Sequence, residues 1–128
     1  MNKCFALKDT AIAQAQDGDI PVALNTANLI NDPLYKSQAL IYIAKAQAQD
    51  GDSRGAESTL QEALNTANLI TNPYWESVAL RYIAQAQEET GDISQALETA
   101  SGINDPLCKR EALIDIALKY IERKKEVK

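Results

Sequence analysis

Ala23-Leu24-Asn25-Thr26-Ala27-Asn28-Leu29-Ile30 returns letter for letter as Ala63 to Ile70, 40 residues later, and this repetition decides the fold. A second string occurs four times: Ala6-Leu7-Lys8-Asp9-Thr10-Ala11, Ala39-Leu40-Ile41-Tyr42-Ile43-Ala44, Ala79-Leu80-Arg81-Tyr82-Ile83-Ala84 and Ala112-Leu113-Ile114-Asp115-Ile116-Ala117. Its spacings are 33, 40 and 33 residues. Gly-Asp pairs at 18/19, 51/52 and 91/92, and the pairs Asp32-Pro33, Asn72-Pro73 and Asp105-Pro106, keep the same registers.

These marks have mechanical meanings. An Asp or Asn side chain ahead of proline caps a helix by accepting a free backbone N–H, and proline at the first helical position brings a helical φ and no orphaned donor. Helices are therefore predicted to start near residues 33, 73 and 106. Glycine takes the left-handed conformation that closes a helix, and the aspartate after it caps the next one, so helices break at Gly18, Gly51 and Gly91. The unit is a helical hairpin of helix A and helix B. Units span about 1–32, 33–72 and 73–105, and a capping helix A follows at 106–128, ending near Glu122.

Periodicity fills in the faces. Leu7, Thr10, Ala11 and Gln14 in the first unit, with Leu40, Ile43, Ala44 and Gln47 and then Leu80, Ile83, Ala84 and Gln87, fall at i, i+3, i+4 and i+7. That is one buried face. In helix B the stripe is Ala23, Ala27 and Ile30, matched by Ala63, Ala67 and Ile70 and by Ala96, Ala100 and Ile103, with alanine allowing close approach. The middle unit carries seven more residues, within Ser53 to Glu62, close to two helical turns, so its helix B lengthens without rotating the stripe.

Composition agrees with an all-α chain of one domain. The 128 residues are 45% hydrophobic and 24% charged, with five glycines, four prolines and few aromatics, which excludes the strand-and-turn composition of a sandwich or barrel. Thirteen Lys and Arg against eighteen Asp and Glu give a net charge of -5 and a pI near 4.7, which argues against nucleic acid as a partner. The segment Lys119 to Lys128 is net +3 and the remainder -8; a solvated, charged helix end completes the stack, or meets an acidic partner. No stretch approaches a signal peptide or membrane span, and two distant cysteines, Cys4 and Cys108, suggest no disulfide framework, so a cytoplasmic setting is expected.

Candidate chemistry is sparse. The sequence has no histidine, which removes the commonest general base and metal ligand. The Asp-Gly-Asp runs at 17–19 and 50–52 lack the further oxygen ligands of a calcium loop, and no glycine-rich loop precedes a Lys-Ser/Thr pair. No enzyme activity, metal or cofactor is implied. Gln14, Gln47 and Gln87 are read as amides that satisfy each other or a loop carbonyl rather than a ligand. Tyr35 and Trp75, at equivalent places, either wedge between hairpins or form an aromatic ledge.

The pattern resembles the tetratricopeptide repeat (TPR) over almost the whole chain. Leu40, Ile43, Ala44, Gly51 and Asp52 fill the places of the family's helix A and turn, and Ala56, Leu60 and Ala63 look like its helix B signature. The first and third units match at Leu7/Leu80, Ala11/Ala84, Gly18/Gly91 and Ala23/Ala96. Glutamine replaces the family's aromatic late in helix A, and proline comes early in two units. The resemblance implies a TPR-like α-α superhelix, or solenoid, of three hairpins plus a capping helix, about seven helices in all. It also implies a non-catalytic module that binds a protein or peptide in a groove built from the A helices. Carried over place by place, the groove residues are Phe5, Lys8, Ile12, Gln38, Ile41, Lys45, Val78, Arg81, Gln85, Glu88, Glu111, Ile114 and Leu118, with Lys8, Lys45 and Arg81 offered to carboxylates. The alternative is a self-assembling homo-oligomer joined through terminal helices: the N-terminal helix lacks an obvious polar cap, and Ile114, Leu118 and Ile121 leave the last one aliphatic.

Overall fold

The computed structural model describes residues 3–127, with side chains for 3–126. The fold is all-α: α1 (Lys3–Gln16), α2 (Ile20–Asn28), α3 (Pro33–Gln49), α4 (Ser53–Ala67), α5 (Pro73–Glu89), α6 (Ile93–Ser101) and α7 (Pro106–Val127), with no strand among the described residues.

The boundaries follow from the capping chemistry. Asp32 is in extended backbone and accepts the Leu34 N–H at 2.8 Å, and Asn72 accepts from Tyr74 and Trp75 at 2.9 and 3.3 Å, so α3 and α5 begin at their prolines. Gly18, Gly51 and Gly91 have φ of +88°, +88° and +91°. The N–H of the aspartate after each glycine donates five residues back, to the carbonyls of Gln14, Gln47 and Gln87 at 2.9–3.0 Å, and satisfies helix-end acceptors. Asp52 and Asp92 then cap α4 and α6, accepting from Gly55 at 2.9 Å and Gln95 at 3.2 Å; Asp19 makes no such bond. Gly55 gives room of another kind: a Cβ there would push the capping Asp52 carboxylate and the Gln47 amide out of place.

Packing runs in a simple order. Each odd-numbered helix packs on the even-numbered helix after it and on the next odd-numbered helix, and each even-numbered helix also touches the odd one that follows. No other pair of helices is in contact among the described residues. The predicted helix B stripes are all buried, and alanines such as Ala23, Ala27, Ala56 and Ala63 line the crossings. Leu40, Ile43, Leu60, Ile83 and Ile116 are the large apolar side chains most fully enclosed, each contributing roughly 1.5–3 kcal/mol. In α4, the buried Ala56, Thr59 and Leu60 recur seven residues on as the buried Ala63, Thr66 and Ala67, so the insertion extends the stripe as expected.

Three expectations are corrected. Thr10 is exposed rather than part of the buried face, because no helix among the described residues covers the place held by the enclosed Ile43 and Ile83. Its hydroxyl turns back to the Ala6 carbonyl at 2.8 Å, so the N-terminal face does carry a polar substitution. The last helix runs to Val127 instead of ending near Glu122. Lys124 and Lys125 in its final turn oppose the helix dipole, and Arg123 anchors that turn to α5. Of the basic segment, Lys128 lies outside the described residues.

Candidate functional site

Because α1, α3 and α5 lie side by side, residues at equivalent places on each form rows across a shared face. Tyr42 and Tyr82 make one such row and both are half exposed. A cavity of about 260 Å³ opens between them, lined by Lys8, Gln38, Ile41, Tyr42, Lys45 and Tyr82. A second, of about 320 Å³, lies between the C-terminal halves of α1 and α3, and a third, of about 300 Å³, between α3, α5 and Arg123 of α7. Lys45 lines all three.

The cations here are held against aromatic rings. Lys8 Nζ is 4.5 Å from the Phe5 ring centroid and 5.7 Å from that of Tyr35, and Lys45 Nζ is 5.5 Å from that of Tyr42. Phe5 and Tyr35 meet edge to face at 6.0 Å, so Tyr35 is the wedge between α1 and α3. Trp75 instead stands exposed against Tyr74, the ledge of the two readings. A ring face beside each ammonium group favours a cation there. With two phenols and the apolar Ile41 between them, these groups can receive a chain that is aliphatic on one side and carboxylate-bearing on the other.

Some of the sequence-derived groove residues come together on this face and others do not. Phe5, Lys8, Ile12, Gln38, Lys45 and Val78 are exposed or half-buried, and Lys8, Gln38 and Lys45 come together in the cavity. Ile41 is buried and can serve only as its floor. Arg81, Gln85, Glu88 and Glu111 are not open to a partner, because they hold α5 to α7. Ile114 and Leu118 are exposed on α7 but line none of the three cavities. The accessible row is rotated from the sequence-derived one, since neighbours in a helix point about 100° apart. Taking Ile41 and Arg81 passed over the adjacent Tyr42 and Tyr82. Their recurrence 40 residues apart was the signal that could have found them.

The contact between α5 and α7 is ionic. Arg81 meets Glu111 at 3.0 Å and Asp115 at 3.5 Å, Gln85 donates to Asp115 at 3.1 Å, and Lys119 is 3.8 Å from Glu89. Arg123 Nε lies 3.4 Å from the Glu88 carboxylate, whose side chain is 0% exposed, and its other nitrogens donate to the Glu88 and Glu89 carbonyls at 2.8 and 3.2 Å. At the start of α7, the Asp105 carboxylate accepts a hydrogen bond from the Cys108 thiol and, with burial and the charges of Asp105 and Glu111, pushes its pKa up against a smaller lowering by Arg81. Cys4 and Cys108 are not joined: α1 and α7 do not touch.

The glutamines are structural, with a partner other than the one expected. Gln14 accepts from the Thr26 hydroxyl at 2.7 Å and Gln47 from Thr59 at 2.6 Å, in each case across the hairpin. The third hairpin has the same pair, Gln87 and Thr99, yet Gln87 Oε1 and Thr99 Oγ1 are both buried without a hydrogen bond. Threonine stands 12 residues after glutamine in all three units, a spacing legible in the sequence. Among the described residues no group of three or more metal-ligating side chains converges, and no helix is long and apolar enough to cross a membrane. No protein-family model matches the chain, and no curated protein or solved structure matches it significantly.

Proposed function

We propose that the chain is a TPR-like solenoid and a non-catalytic protein-binding module, and that it takes an acidic, amphipathic peptide segment across α1, α3 and α5. The observation that carries this is Lys45, which lines three adjoining cavities beside Tyr42. The repeat register, the ordered helix contacts and the TPR-like residues support the solenoid. A peptide carboxylate placed between Lys8 and Lys45 gains charge-assisted contacts beside aromatic rings, while its aliphatic side lies over Ile41 and the two phenols. Net negative charge elsewhere on the protein repels acidic chains from other faces and disfavours nucleic acid. With no histidine and no converging metal ligands among the described residues, binding rather than turnover is the work proposed, in a cytoplasmic setting.

Selection from a random displayed peptide library tests the reading. Peptides enriched on the wild-type protein are expected to carry Asp or Glu beside aliphatic residues and to lose about tenfold or more in affinity to Lys8→Glu/Lys45→Glu, about 1.4 kcal/mol. Equal binding to both proteins, or no enrichment, would discard this face. Arg81 is unsuitable for the test because its reversal would break the contacts with Glu111 and Asp115.

A further inference from the structure

The residues that lengthen the middle hairpin have a place in the fold. Helix α4 has 15 residues against nine in α2 and in α6, and its added turns carry Glu57, Leu60 and Gln61. These three form one wall of a cavity of about 170 Å³ whose other wall is Gln87, Thr90, Asp92 and Gln95, from the end of α5, the turn and the start of α6. Its chemistry is the reverse of that around Lys45. No Lys or Arg lines it, and neither Glu57 nor Asp92 is in an ion pair among the described residues. Gln87 is 3% exposed and its Oε1 has no hydrogen-bond partner, whereas the equivalent amides of the first two hairpins accept from Thr26 and Thr59. A buried amide without a partner is rare, and this one occurs in the hairpin that the added turns of α4 face.

We propose that this cavity binds the guanidinium group of an arginine in a partner chain. Two carboxylates without a cation select a positive ligand, and the unused Gln87 amide at the back of the cavity selects one rich in N–H donors. Asp92 can take part while it caps α6, because the Gln95 N–H occupies only its Oδ1. The terminal torsion of a glutamine is soft, so the Gln87 oxygen can turn to meet a donor. No third acidic or sulfur ligand joins Glu57 and Asp92 among the described residues, and the protein has no histidine, so the set is incomplete for a metal ion. The acceptors are spread over α4, α5 and the cap of α6. A guanidinium carries five N–H donors in a flat fork and can serve several of them at once, whereas an ammonium is a compact point charge with three. None of the residues of the Lys45 face is used, so the proposal is independent of what that face binds.

NMR titration of the amide-labelled 128-residue chain with Nα-acetyl-arginine-methylamide, a single blocked arginine, is the test. Saturable shifts are expected at the backbone amides of Glu57, Asp92 and Gln95 and at the Gln87 side-chain amide, half complete at about 1–10 mM. The matching lysine compound should bind about threefold or more weakly. Glu57→Gln, at an exposed position, and Asp92→Asn, which keeps a capping oxygen, should each weaken arginine binding about threefold or more, and Lys45→Glu should leave it unaltered. Gln87→Met should weaken it as well, with the circular dichroism unchanged. No saturable shift by about 50 mM, equal binding of the lysine compound, tighter binding of free arginine, displacement by calcium chloride at equal ionic strength, or indifference to both Glu57→Gln and Asp92→Asn would each overturn the proposal.

Discussion

The contact of α1 with α3 and that of α5 with α7 occupy the same repeat register and use different chemistry. Lys8, Ile12 and Ala15 of α1 stand where α5 has Arg81, Gln85 and Glu88, and where α3 has Ile41, Lys45 and Ala48. In the first contact alanine packing, Ile43 and the Phe5–Tyr35 pair hold the helices together. In the last, seven charged residues of α5 and α7 form ion pairs, and an enclosed carboxylate sits where the other two helices have alanine. A repeat thus conserves geometry while leaving the adhesive open. One consequence is functional: Lys45 makes no ion pair among the described residues and Lys8 only the 3.8 Å contact with the exposed Asp9, whereas Arg81 and Arg123 are used internally.

The sharpest way to break this comparison is to attack both contacts. Ile43→Ala should cost about 3 kcal/mol in urea denaturation and be indifferent to salt, as an apolar cavity would be. Arg123→Ala should cost about 2 kcal/mol, less than the 3–5 kcal/mol of a fully buried pair because Arg123 is 43% exposed. Glu88→Ala, which restores the alanine of the other units, should by contrast be close to neutral, and the double variant should recover at least half of the Arg123→Ala loss. Equal losses for Glu88→Ala and Arg123→Ala would show that the carboxylate is a net stabiliser and the comparison misdrawn.

Smaller effects sharpen the contrast between hairpins. Thr59→Val leaves the buried Gln47 oxygen without a donor and should lower stability by about 1–2 kcal/mol, whereas Thr99→Val removes a hydroxyl that already lacks a partner and should change it by less than about 0.5 kcal/mol, or raise it. Measured by chemical denaturation, matching losses at the two sites would mean that Gln87 and Thr99 bond in solution. Smallest of all, in a Cys4→Ser background the raised pKa of Cys108 should slow its alkylation just above neutral pH, and Asp105→Asn should speed it, with rates converging at strongly alkaline pH where the thiolate predominates. An unchanged rate in Asp105→Asn would remove Asp105 as the cause.

Much of the fold was legible because its signals are local. Capping aspartates, prolines and left-handed glycines act within a turn of the chain, so the helix starts at 33, 73 and 106 and the breaks at 18, 51 and 91 could be read directly. What depends on a neighbouring helix was harder. Thr10 shares the periodicity of Ile43 and Ile83, and it is exposed because no helix among the described residues packs over it. The exposed row was displaced by one residue, from Tyr42 to Ile41 and from Tyr82 to Arg81, because periodicity gives the core direction more firmly than the edge of an exposed row. Arg123 lies 35 residues from Glu88, and no spacing rule links them.

The central claim is that the face around Lys45 receives an acidic chain. An NMR titration of the amide-labelled protein with a glutamate-rich amphipathic peptide tests it most directly. Saturable shifts are expected at the amides of Lys8, Gln38, Tyr42, Lys45 and Tyr82, lost on Lys8→Glu/Lys45→Glu; shifts confined to α2, α4 and α6, or to the exposed side of α7, would contradict it.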